Sequence, residues 1–359
     1  MEIKFLRAFN GDCIHINFTD KNKKIRNIII DGGTKGTYNK PSKKEPDEGE
    51  LTELVNEIQA AGLCIDLLIL THVDNDHIGG ILKWFENDLE QARELVKEIW
   101  FNSGRLIFKH FDCPEIIENL RIIKVLKDRR NTGIPQGVAF EDYITEFGIW
   151  HRQIIMAGME LERFGAKFQI LSPDEYSLRK LLHKWEIEKP ISRTSAGKKD
   201  DYGPTLRQHI VADKFEEDDK VHNGSSIAFI MTFDGVHYLF LADAHPSVVE
   251  KSLRDLNFTE DSPLEASFMK VSHHGSQGNS SPALFAMVKT SAYIISTNGR
   301  GHKHPDKRLI ARLLNNIENK GVHTDIYFNY PDLINKIFTE ADFVDFPNFS
   351  PQSTDNLTL

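Results

Sequence analysis

Four side chains able to bind a metal fall within six residues, His72, Asp74, Asp76 and His77, in the run THVDNDHIGG. Two imidazoles and two carboxylates at this density suit divalent ions such as Zn²⁺, Mn²⁺ or Fe²⁺, and the oxygen-rich set favours harder metals than a thiolate site would. So many donors in so short a run point to two ions. Gly79 and Gly80 follow, where a close backbone turn needs residues without a side chain. Asp and Asn also cap helices, and a histidine can be an ordinary loop residue. Neither role accounts for four donors directly after an apolar run.

Three further polar clusters repeat the arrangement. Asp243 ends LAD, His273 and His274 lie in VSHHGS, and His304 lies in STNGRGHKHP beside Arg300, Lys303, Lys307 and Arg308. His222 and Asn223 open HNGSS ahead of another apolar run. His110, His151, His183 and His209 have no partner cluster and read as ordinary histidines.

The elements that must position these clusters are legible in outline. Residues 2–6 and 13–18 alternate apolar and polar, and 27–30 run apolar into Asp31-Gly32-Gly33, so the chain opens as strands ending in a glycine turn. The spacing of Leu51, Leu54, Val55 and Ile58 behind acidic first-turn residues predicts a helix over 47–61. Residues 65–70 read as a buried strand that delivers the THVDNDHIGG run at its end. Helical patterns at 81–87 and 89–98 precede a short strand at 99–102, a rhythm that indicates layered α/β structure.

Helices are predicted over 114–130 and 140–159, then a strand over 167–171. The charged stretch 178–221, with KKDDYG and FEEDDK, shows little periodicity and reads as a solvated insertion or a loop over the site. A hairpin follows at 226–241, turning at Asp234-Gly235. Strands at 268–271 and 292–295 run into their polar clusters, and 309–319 is helical. The expected organisation is one domain over 1–345, with an insertion at about 103–221, and a frayed tail over 346–359.

Composition sets the bounds. The 359 residues are 40% hydrophobic and 27% charged, the balance of a folding globular chain. A net charge of -9 argues against generic clinging to phosphate backbones but leaves room for a nucleic-acid substrate held through bound metals or a local basic patch. Cys13, Cys64 and Cys113 are too few and too scattered for a disulfide framework or a zinc knuckle. No uninterrupted apolar run of about 20 residues occurs, and the start lacks a basic region followed by an apolar stretch, so the expected location is the cytoplasm.

The motif His72-Val-Asp74-Asn-Asp76-His77-Ile-Gly-Gly resembles the strand-end signature of the metallo-β-lactamase superfamily, with Asp74 where histidine is commoner. Together with FNGDC at 9–13, IIIDGG at 28–33, NGSS at 223–226, LAD at 241–243, VSHHGS at 271–276 and GHKHP at 301–305, it looks most like the hydrolase domain of ComEC-like competence proteins. The resemblance leaves out most of 100–220. It implies a four-layer αββα sandwich with a helical and charged insertion, and two divalent ions, zinc or manganese. His72 and Asp74 would hold one ion, Asp76 and His77 the other, and Asp243 would bridge both.

His273 would complete the second site, leaving His274 towards substrate, although the reverse assignment stays open. His222 is an alternative third ligand for the first ion, whereas Asn223 would orient water or a phosphate oxygen. His304 would bind a phosphate oxygen or protonate a leaving group, and Asp76 would also orient the attacking water. The implied activity is hydrolysis of a phosphodiester in DNA, RNA or a nucleotide. Ester, lactone, thioester or lactam hydrolysis is a second reading. A third is a ligand-sensing component of an antiviral defence system, with a protein partner encoded alongside.

Overall fold

A computed structural model describes residues 1–39, 48–112, 133–187, 199–317 and 323–357. The predicted helix at 114–130, Cys113 and residues 188–198 of the charged stretch lie outside these. The chain is a mixed α/β protein and divides into two compact units, Met1–Met156 with Asp174–Thr194, and Ala157–Pro173 with Ser195–Leu359.

Unit 1 carries, among the described residues, a sheet in the order β1-β2-β3-β4-β5, formed by Glu2–Phe5, Ile14–Thr19, Ile25–Ile30, Leu67–Ile69 and Ile99–Trp100. The first three strands are an antiparallel meander, and β3, β4 and β5 run parallel. Their side chains, Ile28 to Ile30, Leu67 to Ile69 and Ile99 to Trp100, are all buried, as expected for parallel strands covered on both faces. Parallel pairing also brings the carboxyl ends of β3 and β4 to one edge, so the turn at Asp31 and the run from Thr71 become neighbours although 40 residues apart.

Helix α1 (Glu50–Ala60) buries Leu51, Leu54, Val55 and Ile58, the face that its spacing predicted. Helix α2 (Asn75–Asn87) starts inside the polar cluster, six residues before its apolar repeat begins. Its start packs backbone to backbone on the β3 turn: a Cβ on Gly80 would lie 2.0 Å from the Gly32 carbonyl oxygen, which explains the glycine pair. Among the described residues, helices α3 (Leu89–Leu95), α4 (Gly104–Phe111), α5 (Gly133–Phe147) and α6 (Glu175–Ile187) complete the unit. The helix expected over 140–159 instead ends at Phe147. Gly148 takes a left-handed φ of 69°, and Trp150 then bridges in parallel to Ile99, which commits the backbone to the sheet. Residues 178–187, the start of the charged stretch expected to be an insertion or loop, belong to α6.

Unit 2 is built on a sheet in the order β15-β14-β13-β11-β9-β8-β7-β6. Here β6 is Glu160–Arg163, β7 Ala166–Ser172, β8 Ala228–Phe233, β9 Val236–Phe240, β11 Phe268–Lys270, β13 Ala292–Ile295, β14 Thr324–Phe328 and β15 Phe349–Ser353. A short parallel pair, β10 (Leu264–Glu265) with β12 (Val288–Lys289), lies outside it, and the helices of this unit include α7 (Leu206–Val211), α8 (Val221–Gly224), α9 (Pro246–Asp255), α10 (Pro282–Ala286) and α11 (Lys307–Ile317). The predicted hairpin is β8-β9, turning at Asp234 and Gly235. From β9 to β15 every pairing is parallel, so Asp243, the 272–275 turn and the loop after Ile295 leave the sheet at the same edge.

The tail expected to fray forms β15 instead, paired with β14 over five residues. Phe349 is buried, stacks on Phe343 and meets Phe338 at a tilt, and this burial offsets the ordering cost of the strand. Among the described residues no helix is long and apolar enough to cross a membrane.

Candidate metal centre

In unit 1 the side chains are set by one buried carboxylate. Asp31, at a left-handed φ of 58°, accepts the Thr71 backbone N–H on Oδ1 (2.8 Å) and both the Thr71 hydroxyl (2.7 Å) and His77 Nδ1 (2.7 Å) on Oδ2. The single Thr71 hydroxyl proton is thereby used, so the 3.1 Å contact between Thr71 Oγ1 and His72 Nδ1 has the ring as donor. Both histidines thus carry their proton on Nδ1 and keep the Nε2 lone pair for a ligand, the arrangement typical of metal-binding imidazoles. Their rings lie 4.1 Å apart.

The N-terminus of α2 places the carboxylates. Asp74 is the N-cap, its carbonyl accepting from His77 and Ile78, while its carboxylate makes no capping bond. Asp76 sits in the first turn, where the helix dipole favours a negative charge. Asn10 Nδ2 donates to Asp76 Oδ2 at 2.9 Å, and the Asp12 N–H donates to the Asp76 carbonyl at 3.2 Å. That second contact brings in Asp12 of the FNGDC run, which no metal-ligating spacing marks in the sequence. Asp12 is buried, and its carboxylate and a ring nitrogen of His77 lie within 4.8 Å of each other.

In unit 2 the donors gather around Asp243. His273 Nε2 is 3.6 Å from Asp243 Oδ2, and His274 Nε2 is 3.8 Å from Asp243 Oδ1. His273 Nδ1 donates to Asn279 Oδ1 (2.8 Å) and His274 Nδ1 to the Ser296 carbonyl (3.0 Å), so these rings too present Nε2. Both residues reach this pose from left-handed backbone, with φ of 48° and 55°. Two donors about 2.1 Å from a tetrahedral ion would stand roughly 3.4 Å apart. The donor set therefore fits a divalent metal, and the two distances do not separate His273 from His274 as ligand.

The remaining candidates in unit 2 divide. His304 is buried, its ring 5.0 Å from that of His273 and its Nδ1 3.3 Å from Asp306 Oδ2. Asn223 is fully buried, with Nδ2 2.5 Å from Asp218 Oδ2 and 3.3 Å from His273 Nδ1, and its Oδ1 has no hydrogen-bond partner. His222 is buried next to it, and its carbonyl accepts from the Ser225 N–H and hydroxyl. Lys307, grouped by sequence with a basic cluster, is fully buried and paired with Asp342 at 2.7 Å. It supports the fold and offers no charge to a substrate.

Asp218 is the least expected participant, since it lies in the FEEDDK run read as a solvated excursion. Its Oδ2 accepts from Asn223 and, at 3.1 Å, from Asn279. Desolvation works to raise its pKa, but the hydrogen bonds from Asn223, Asn279 and the Lys220 N–H, together with the neighbouring His273, outweigh it and hold the carboxyl below its ordinary value.

Residues 24–87 match the family model of the metallo-beta-lactamase superfamily. The matched span covers Asp31, Thr71 and the cluster from His72 to His77 but none of the donors in unit 2. No curated protein sequence matches the chain.

Proposed function

We propose that this protein is a metal-dependent hydrolase of phosphodiesters, in DNA, RNA or a nucleotide. The observation that carries the reading is the shared state of four buried histidines. His72, His77, His273 and His274 each commit Nδ1 to an acceptor of the protein, so that Nε2 is the unprotonated nitrogen, the form in which an imidazole ligates a metal. The family match over 24–87 supports hydrolase chemistry.

In this reading His72, Asp74, Asp76, His77, Asp243 and His273 or His274 hold two divalent ions, zinc or manganese. Asp12 is an added candidate ligand. Divalent ions, when bound, lower the pKa of water and polarise the oxygens of the group attacked. Asp31 keeps His72 and His77 in one tautomer, with the ring proton on Nδ1 and not on Nε2. Asp76, steadied by Asn10, orients the attacking water. Asn223 turns an unpartnered buried amide oxygen towards the same task. His304, beside Asp306, is the proton donor to the leaving group.

The phosphodiester preference rests on the ComEC-like motif order and on Arg300 and Lys303, not on Lys307. The four-layer αββα arrangement, a single domain that includes β15, a cytoplasmic location and a protein partner belong to the same proposal.

The test is metal content by elemental analysis of wild type and Asp243→Ala, with turnover of bis-p-nitrophenyl phosphate in Mn²⁺ or Zn²⁺. About two ions per chain and turnover lost in the variant are expected. A wild type that stays metal-free after reconstitution overturns the reading. A metal-loaded wild type that cleaves a carboxylic ester or lactone but no phosphodiester moves the substrate to the second class.

A further inference from the structure

The acidic segment ahead of α8 (Val221–Gly224) is strapped to the loop that follows His273 and His274. Asp213 holds Arg312 of α11 (Lys307–Ile317) through two contacts of 2.8 Å, and Arg312 Nη1 donates to the Gln277 and Ser280 carbonyls at 2.7 Å each. Phe215 lies under the guanidinium, 5.0 Å from its centre. The Asp218 N–H donates to the Gly278 carbonyl at 3.0 Å. A Cβ on Gly278 would meet the Asp218 nitrogen at 3.2 Å and the Glu216 carbonyl at 3.3 Å, so the two segments touch through their backbones. Glu217 faces the other way and closes the start of α9 (Pro246–Asp255), accepting from the Ser247 N–H at 2.8 Å and hydroxyl at 3.0 Å.

What the strap delivers is a carboxylate at one place. Asp218 Oδ2 takes a proton of the Asn279 amide, and a second contact from the same nitrogen goes to the Asp243 carbonyl at 3.2 Å. With its nitrogen so occupied, Asn279 can offer His273 only its oxygen. A carboxamide free to turn over would present either end, and His273 would lose the preference for one tautomer.

We infer that Asp218 is a positioning residue that acts through Asn279 to hold His273 as the Nδ1-protonated tautomer, with Nε2 turned to Asp243. The inference deepens the metal-hydrolase reading and rests on it for the purpose of the unprotonated Nε2, but the tautomer itself is a property of the metal-free chain. The strap is then part of the centre's construction, although its composition is that of a solvated loop. Asn223 Nδ2 shares the same anchor and commits a proton to Asp218 Oδ2; it stands 3.3 Å from His273 Nδ1, farther than the Asn279 oxygen at 2.8 Å, so the shorter contact sets the ring's proton.

The experiment is long-range ¹H–¹⁵N correlation NMR of the histidine rings in the metal-free full chain, with His273 identified by its loss in His273→Gln. It is paired with metal affinity by chelator competition. Wild type is expected to show His273 protonated on Nδ1, Asp218→Asn a mixed or Nε2-protonated ring, and Asp218→Glu a partial return. Affinity for Zn²⁺ should fall about 10- to 100-fold in Asp218→Asn. Glu217→Ala, which loosens the strap away from His273, should lower the melting temperature and leave the His273 tautomer unchanged.

A wild-type His273 protonated on Nε2 overturns the inference without any variant, even if Asp218→Asn fails to fold. So does an unchanged tautomer in folded Asp218→Asn. A shifted tautomer in a protein that binds no metal upholds the positioning role and defeats the hydrolase reading, so the two failures are separable.

Discussion

Asp31 and His77, 46 residues apart, are joined by a 2.7 Å hydrogen bond from the ring Nδ1 to a fully buried carboxylate oxygen. The same oxygen accepts the Thr71 hydroxyl, and through it the carboxylate also settles the tautomer of His72. One residue at the end of β3 thus prepares two rings at the end of β4.

Asp31→Asn is therefore expected to lower metal affinity about 10- to 100-fold, because the amide can donate where only acceptance serves the rings. Chelator competition on the purified variant checks it. Affinity equal to wild type would show that the histidines hold their tautomers without Asp31.

Gly11 lies against the backbone of Asp76, and a Cβ there would stand 1.8 Å from the Asp76 carbonyl oxygen. Gly11→Ala must displace either the 9–13 turn or the first turn of α2. A loss of about 1 to 3 kcal/mol in urea unfolding is expected, together with reduced metal content by elemental analysis. Unchanged stability and content would mean that the two turns separate without cost.

Lys307 and Asp342 form a pair with no exposed surface on either side chain. Asp342 Oδ1 also accepts the Leu206 N–H, and Oδ2 the Thr339 N–H, so Lys307→Met leaves a buried carboxylate short of its cation. The expected cost is about 3 to 5 kcal/mol by denaturant unfolding. Weaker nucleic-acid binding with unaltered stability would instead return Lys307 to a substrate-facing role.

Glu141, on α5, accepts the Ser103 hydroxyl at 2.8 Å on Oε1, while its buried Oε2 has no hydrogen-bond partner. Burial pushes its pKa from an ordinary 4.5 up to about 7. The folded state then binds this proton more tightly than the unfolded one. Its contribution is complete below about pH 4.5 and is lost as pH rises through about 7. Stability should fall by up to about 1.4 kcal/mol per pH unit across that window, beyond what the other groups contribute. In Glu141→Gln this slope should vanish and the variant should be the more stable at pH 8, as urea titrations at a series of pH values would measure.

Much of the scaffold was written locally. The alternation in β1 and β2, the spacing of Leu51, Leu54, Val55 and Ile58, and the Asp234-Gly235 turn involve neighbours along the chain, where a period of 3.6 or 2 reflects which face is buried. The cluster from His72 to His77 was legible for the same reason, since a strand end and the first turn of a helix place residues close in sequence close in space. The boundaries of α5 and the pairing of β15 were not, because Gly148, Trp150 and Phe349 are committed by partners elsewhere in the chain.

The sequence by itself determined which residue types could meet a metal and that they stand at strand ends. Tertiary structure decided which nitrogen of each ring is presented, through Asp31, Thr71, Asn279 and the Ser296 carbonyl, because a tautomer depends on the hydrogen-bond partner and not on the neighbour in the chain. It also decided that Asp218, in a run written like a solvated loop, reaches the centre, while Lys307, in a run written like a basic patch, is sealed inside. Charge in a sequence records what a side chain carries. Burial and pairing, which need the folded chain, determine where that charge acts.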